Sequence, residues 1–114
     1  MTIKEAALFL EAEILHDNFS DKIISSVYTS DLLSDVMANS ASASVLVTIQ
    51  AHLNTVAVAV HKKISAIIIC NSRPVPQDML DAAKEERIAL LSVKENQFFV
   101  SGKLYGEINP KKKA

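Results

Sequence analysis

The chain has 114 residues, 12 of them basic and 13 acidic, with a formal net charge of −1, 49% hydrophobic residues and a single cysteine, Cys70. That length suits one domain, and the apolar content is too high for a disordered segment. The balanced charge gives no general nucleic-acid signal, and one cysteine excludes an intrachain disulfide and a cysteine-based zinc site.

Met1 to Leu15 has no cationic start, long apolar core or cleavage site, and no window is long and uncharged enough to span a bilayer. The expectation is a cytoplasmic protein with neither membrane nor nucleic-acid partners. Residues 1–110 are read as one domain. Residues 111–114, with the basic run Lys111, Lys112 and Lys113, are read as a solvated tail.

Thr2 and Glu5 have the spacing of a capping box, and Ile3, Ala6, Ala7 and Leu10 share one face of a short helix over Ile3–Leu10. Ala12–Leu15 reads as a short strand. His16, Asp17, Asn18 and Ser20 make a turn before a second extended segment, Lys22–Tyr28. Ser30 is placed as the N-cap of the next helix, with Asp31 at its positive end and Leu32, Leu33, Val36 and Met37 as its apolar stripe. That helix ends near Asn39, and the small residues 40–44 return the chain.

Val45–Ile49 is the strongest strand, apolar on both faces, and therefore expected at the centre of a covered sheet. Thr48, Gln50 and His52 share a parity if the extension continues past it. Thr55 to Val60 reads as strand or helix. A helix over Asn54–Lys62, with Asn54 as its cap or in its first turn, is chosen, because it lets Ser65–Cys70 follow as a parallel strand after a crossover. Pro76 then suits a helix start, with Met79, Leu80 and Ala83 on its inner side. Ile88–Val93 is a further buried strand, and Ser92 with Glu95 is read as the capping box of a last helix.

The pattern of repeated strand–helix units predicts an α/β fold, a three-layer sandwich with a mostly parallel central sheet. In such sheets the loops at the carboxyl ends of the strands are the expected binding places. Here they hold Tyr28–Asp31, Gln50–Asn54, Asn71–Pro74 and Ser92–Glu95.

The segments VYTSDLLSDVMAN, TIQAHLNTVAVAV, IIICNSRPVPQDMLDAA and IALLSVKENQFFVSGKLYG, in this order and spacing, resemble the DRTGG domain over about residues 20 to 108. That family is associated with phosphotransacetylases and with CBS domains in regulatory proteins, and is described by its similarity to the amino-terminal domain of HPr kinase/phosphorylase. The resemblance implies an α/β fold and suggests dimerisation without implying kinase activity. Asp31 and Asp35 fall in the family-like SDLLSDVMAN stretch. Thr48, Gln50, His52 and Asn54 match T-x-Q-x-H-x-N, and Gly102, Leu104 and Tyr105 match the closing G-x-L-Y segment. The chain departs from the family's usual pattern at Asn71 and Ser72, where the family commonly has a glycine pair. Asn tolerates a left-handed turn and Ser is a poorer substitute, which puts a backbone-lined anion site there in doubt.

The candidate ligand-binding residues are Asp31, Thr48, Gln50, His52, Asn54, Asn71, Ser72 and Arg73. His52 is the best of them, as ligand donor, pH-sensitive group or base; its plainer reading is a loop histidine satisfied by Asn54 or a carbonyl. Thr48 and Gln50 read as a polar network, and Arg73 as an anion clamp or an ordinary exposed arginine. Asp31 and Asp35, four apart on one helix face, raise a metal that no two-histidine motif supports, so no metal and no cofactor are expected. Cys70, ending an apolar strand, reads as a buried small residue. Walker, dinucleotide and Gly-x-Ser-x-Gly fingerprints are absent.

On the last helix Ser101, Gly102 and Gly106 form a small-residue track beside Phe98, Phe99 and Tyr105, the expected interface of a homodimer. The primary reading is a non-catalytic regulatory or protein-interaction module, with a small anionic ligand or nucleotide bound near Gln50–Asn54 and a protein partner. The alternatives are a small enzyme acting on a phosphorylated metabolite with His52 as acid/base, and a purely structural dimerisation domain.

Overall fold

Every expected strand forms, and four of the five lie parallel. The computed structural model describes residues 1–40, 42 and 45–108. The lysine tail and most of the 40–44 return loop lie outside those residues. The elements in order are α1 (Ile3–Leu10), β1 (Glu13–Ile14), β2 (Val27–Thr29), α2 (Leu33–Asn39), β3 (Val45–Thr48), α3 (Leu53–Lys62), β4 (Ala66–Ile69), α4 (Gln77–Glu85), β5 (Ala89–Ser92) and α5 (Gln97–Ile108). The sheet order is β1-β5-β4-β3-β2. Strands β2 to β5 are parallel neighbours, and β1 closes the far edge antiparallel to β5.

Strand alternation builds two cores. Val45, Val47, Ala66, Ile68, Ala89 and Leu91 face Ile3, Ala6, Ala7 and Leu10 of α1 and Val100 and Leu104 of α5. Leu46, Ile67, Ile69 and Leu90 face Val36 of α2, Val56 and Ala59 of α3, and Met79 and Ala83 of α4. The result is the expected three-layer α/β sandwich: two helices, a sheet, three helices. The chain alternates strand and helix on the three-helix side, and α5 returns to the other face beside α1.

The start of α1 is the capping box read from sequence. Glu5 N donates to Thr2 Oγ1 (3.2 Å) and Thr2 N donates to Glu5 Oε1 (2.8 Å). Three other element starts differ from expectation. Ser30 is not an N-cap: Leu32, in extended conformation, precedes α2 without a side-chain bond, and the Ser30 hydroxyl accepts from Leu32 N at 3.2 Å instead. Asp31 therefore lies outside the helix and does not share a helical face with Asp35. Of the expected α2 stripe only Val36 is buried; Leu32 and Met37 are exposed.

The cap of α3 is His52, and Asn54 takes the other place expected for it, in the first turn as the helix's second residue. Ser92 does not cap α5. It is the last residue of β5, held between Ile69 of β4 and Glu13 of β1, and α5 starts five residues later, where Asn96 Oδ1 accepts from Phe99 N at 2.9 Å. Sheet pairing on both sides outcompeted a local capping signal. Strand β2 is also shorter than the Lys22–Tyr28 segment expected. Before it, Ile23 makes only an isolated bridge to Thr2.

Candidate functional site

The carboxyl edge of the sheet gathers the loops after β2, β3, β4 and β5, because Thr48 is paired with Ile69 and Ile69 with Ser92. Thr48 is the last residue of β3 and is fully buried. Its hydroxyl accepts from Gln50 N at 3.1 Å, turning the chain out of the sheet. Extension stops there, so Gln50 and His52 do not continue a strand parity with Thr48.

Gln50 then ties three pieces together. Its Nε2 donates to Asp31 O at 2.7 Å, linking the β2 and β3 loops, and its carbonyl accepts from the hydroxyl of buried Thr55 at 2.7 Å. Thr48, Gln50 and Thr55 thus form a satisfied polar network that fixes the approach to α3. Thr55 was missed by sequence reasoning. Its signal was a threonine hydroxyl in the first turn of a helix, where the preceding loop offers carbonyls.

His52 caps α3 with φ −145° and ψ 148°, and its Nδ1 accepts from Asn54 N at 3.0 Å. That bond decides the neutral tautomer. With Nδ1 as acceptor the proton sits on Nε2, which has no partner among the described residues and is a donor. Both His52 and Asn54 are exposed. The arrangement therefore presents an N–H at the start of a ten-residue helix, whose first-turn amides and dipole favour an anion.

The loop after β4 is a tight turn. Asn71 and Ser72 have φ of 63° and 51°, and Arg73 N donates back to Cys70 O at 3.3 Å. Two successive left-handed residues closed by that bond have the form of a type I′ turn, which favours glycine at both centres. This is the physical demand behind a glycine pair, met here by Asn and Ser. The amides do not form an anion cradle: Asn71 N donates to Glu95 O and Ser72 N to Val93 O, both at 2.9 Å. Together with Arg73 N, all three are spent inside the fold. What this loop offers a ligand is the exposed side chains of Asn71, Ser72 and Arg73.

Cys70 is fully buried, and burial, then the Glu95 carboxylate, push its thiol up to about 11. It is a packed hydrophobe rather than a nucleophile. Beside the site, Tyr28 Oη donates to Asp35 Oδ2 and Asn39 Nδ2 donates to Asp35 Oδ1, each at 2.8 Å. The Asn39 amide, then the Ser30 and Tyr28 hydroxyls, hold the Asp35 carboxyl below its ordinary value; the same bond to Asp35 raises Tyr28. Asp35 thus organises α2 and does not join Asp31. Among the described residues no three His, Cys, Asp or Glu side chains are grouped as metal ligands.

On α5, Val100 and Leu104 are buried toward the sheet, while Phe98 is 87% exposed and Phe99 and Tyr105 about half exposed. Gly102 is open: a Cβ there would meet nothing within 4 Å. Ser101 is turned inward, its hydroxyl 2.6 Å from that of Thr29, and Gly106 is half-buried. Lys103 Nζ lies over the rings of Phe9 and Phe99, 4.8 and 5.3 Å from their centroids. Leu8 of α1, 81% exposed, adds to the apolar character of the two-helix layer.

No protein-family model and no curated protein matches the chain. Among solved structures, one that matches is the crystal structure of the CBS and DRTGG domains of the regulatory region of Clostridium perfringens pyrophosphatase, complexed with its activator diadenosine tetraphosphate. The TM-score is 0.72 at 15% sequence identity, over 90% of this chain and 45% of that one. The fold is of the DRTGG type. At this identity the likeness is one of fold, and the chain spans less than half of that regulatory region. Among the described residues no helix is long and apolar enough to cross a membrane.

Proposed function

We propose that the chain is a non-catalytic regulatory module, cytoplasmic and homodimeric, that senses a small anionic ligand or nucleotide at the carboxyl edge. The observation that carries this reading is the shared fold with a regulatory region captured with a nucleotide activator. The geometry at His52 agrees with it. A neutral imidazole whose Nδ1 caps α3 has no free basic nitrogen, so it suits hydrogen-bond donation to a phosphate or carboxylate better than proton abstraction. Arg73 and the exposed side chains of Asn71 and Ser72 would complete the contact. Gln50, bonded to Asp31 and Thr55, would carry ligand contact to the loop before α2, and regulation requires that the two conformations differ in ligand affinity.

The outer face of α5, with Phe98, Phe99, Gly102 and Tyr105, would make the symmetric contact between two copies or receive a protein partner. The test is an amide-resolved NMR titration with diadenosine tetraphosphate, adenine mononucleotides and small phosphorylated metabolites. Saturable shifts centred on Gln50–Asn54 and Asn71–Arg73, weakened in His52→Ala, are expected. No shifts in these loops, with a dimer that Phe98→Ser dissociates, would leave a structural dimerisation domain.

A further inference from the structure

The amino-terminal edge of the sheet, opposite the loops just described, collects positive charge that the linear sequence disperses. Lys22 comes from the β1–β2 connection, Lys63 from the end of α3 and Arg87 from the end of α4; with Ser65 and Glu86 they line an open hollow of about 380 Å³. An adjoining hollow of about 250 Å³ shares Lys63 and adds Lys62 and His61. The chain carries a formal charge of −1, yet the two hollows are lined by four lysines and arginines and one carboxylate. Among the described residues neither Lys22 nor Lys63 has a carboxylate partner.

Arg87 is held in place. Its Nη1 donates to Asn18 Oδ1 at 2.8 Å and its Nη2 to Ser20 Oγ at 3.4 Å. Asn18 is itself fixed by donating to Lys84 O at 2.6 Å and, through its backbone, to His16 Nδ1 at 3.0 Å. A guanidinium positioned this way keeps donors to spare, since the group has five N–H bonds. Lys63 and Arg87 both sit in the left-handed region, with φ of 58° and 57°, at the helix-end position where glycine is the common choice. Glu11 does the same after α1, so the strain by itself marks no site. A cation after a helix is also favoured by the helix dipole. Neither effect accounts for Lys22, which belongs to no helix and faces the same hollow.

We propose that this hollow binds an oligophosphate, a compact ligand carrying several phosphate charges. Its volume lies within the range of small-molecule sites. Three cations from separate segments match a ligand whose charge is divided among phosphate groups, with Arg87 as the fork and the two lysines as mobile point charges. The site is distinct from the carboxyl edge, because the four residues of β4 separate them by about 13 Å.

The probe is inorganic triphosphate, which has no nucleoside to engage the other edge, titrated into the isotope-labelled chain at low salt. Saturable shifts are expected at the amides of Lys22, Lys63 to Ser65 and Arg87 to Ile88. Affinity should fall about tenfold or more in Lys63→Gly and in Lys22→Gln. Lys63→Gly relieves the left-handed residue, so its thermal stability should hold while binding is lost. Shifts confined to residues 50–54, shifts that never saturate, or an unchanged affinity in both variants would each overturn the proposal.

Discussion

Replacing Ser72 with glycine should stabilise the protein, although it removes a side chain and adds backbone freedom to the unfolded chain. Ser72 is held at φ 51° in the turn after β4. The left-handed region costs an ordinary L-residue roughly 1–2 kcal/mol. Glycine avoids that cost but loses about 0.4–1 kcal/mol through the entropy of the unfolded state. The difference leaves a gain of about 0.5–1 kcal/mol. With an unfolding entropy near 2.1 cal/mol/K per residue over 114 residues, the gain corresponds to a rise in Tm of roughly 2–4 °C. Asn71→Gly should gain less, since Asn tolerates this region better. Ser72→Ala keeps the strain and should be near neutral. Ser72→Pro would forfeit the 2.9 Å bond from its amide to Val93 O and the required φ, at a cost of about 3 kcal/mol or more. Calorimetry or thermal circular dichroism on the four variants decides it. A Tm for Ser72→Gly below that of Ser72→Ala would refute the assignment of turn strain.

The Cys70 thiol, pushed up to about 11 and buried, should resist Ellman's reagent at pH 8 in the native protein and react once denaturant unfolds it; rapid native labelling would contradict its placement. Thr55→Val should destabilise by about 1–3 kcal/mol, because it leaves Gln50 O without its 2.7 Å donor, measurable as a lower urea midpoint at unchanged m-value. Asp35 has a folded pKa below its ordinary 3.8, so its stabilisation is fully present above that value and is lost as pH falls through the lowered one. Asp35→Asn should therefore flatten the acid limb of the stability–pH curve, and an unaltered limb would count against the Tyr28–Asp35–Asn39 network. His16 is buried, with Nε2 donating to Ile88 O at 2.7 Å and Nδ1 accepting from Asn18 N. His16→Phe should cost about 1–3 kcal/mol by leaving both backbone groups unpaired, read from chemical denaturation.

Much of the fold was legible because its signals are local or periodic. Thr2 and Glu5 announced α1 to the residue, and the uninterrupted apolar runs at Val45, Ala66 and Ala89 announced strands covered on both faces. The ambiguous Thr55–Val60 stretch resolved as helix once a parallel strand had to follow it. Local capping signals were less dependable. Ser30 and Ser92 each had the right chemistry, but one hydroxyl stabilised a turn at Leu32 and the other residue was drawn into the sheet by partners on both sides.

The candidate site divides in the same way. Sequence alone determined which polar residues follow the strands, because strand ends and helix starts are adjacent along the chain. It also determined that Cys70 packs as an apolar residue. Only tertiary structure decided that Gln50 is engaged with Asp31 and Thr55, that His52 rather than Asn54 caps α3, and that the amides of the Asn71–Arg73 turn are already spent. Only the fold, too, brings Lys22, Lys63 and Arg87 to one hollow. A periodic pattern reports which face of an element is buried. Which loops meet at a sheet edge, and which donors remain free there, depends on contacts between residues tens of positions apart, and no local pattern encodes that.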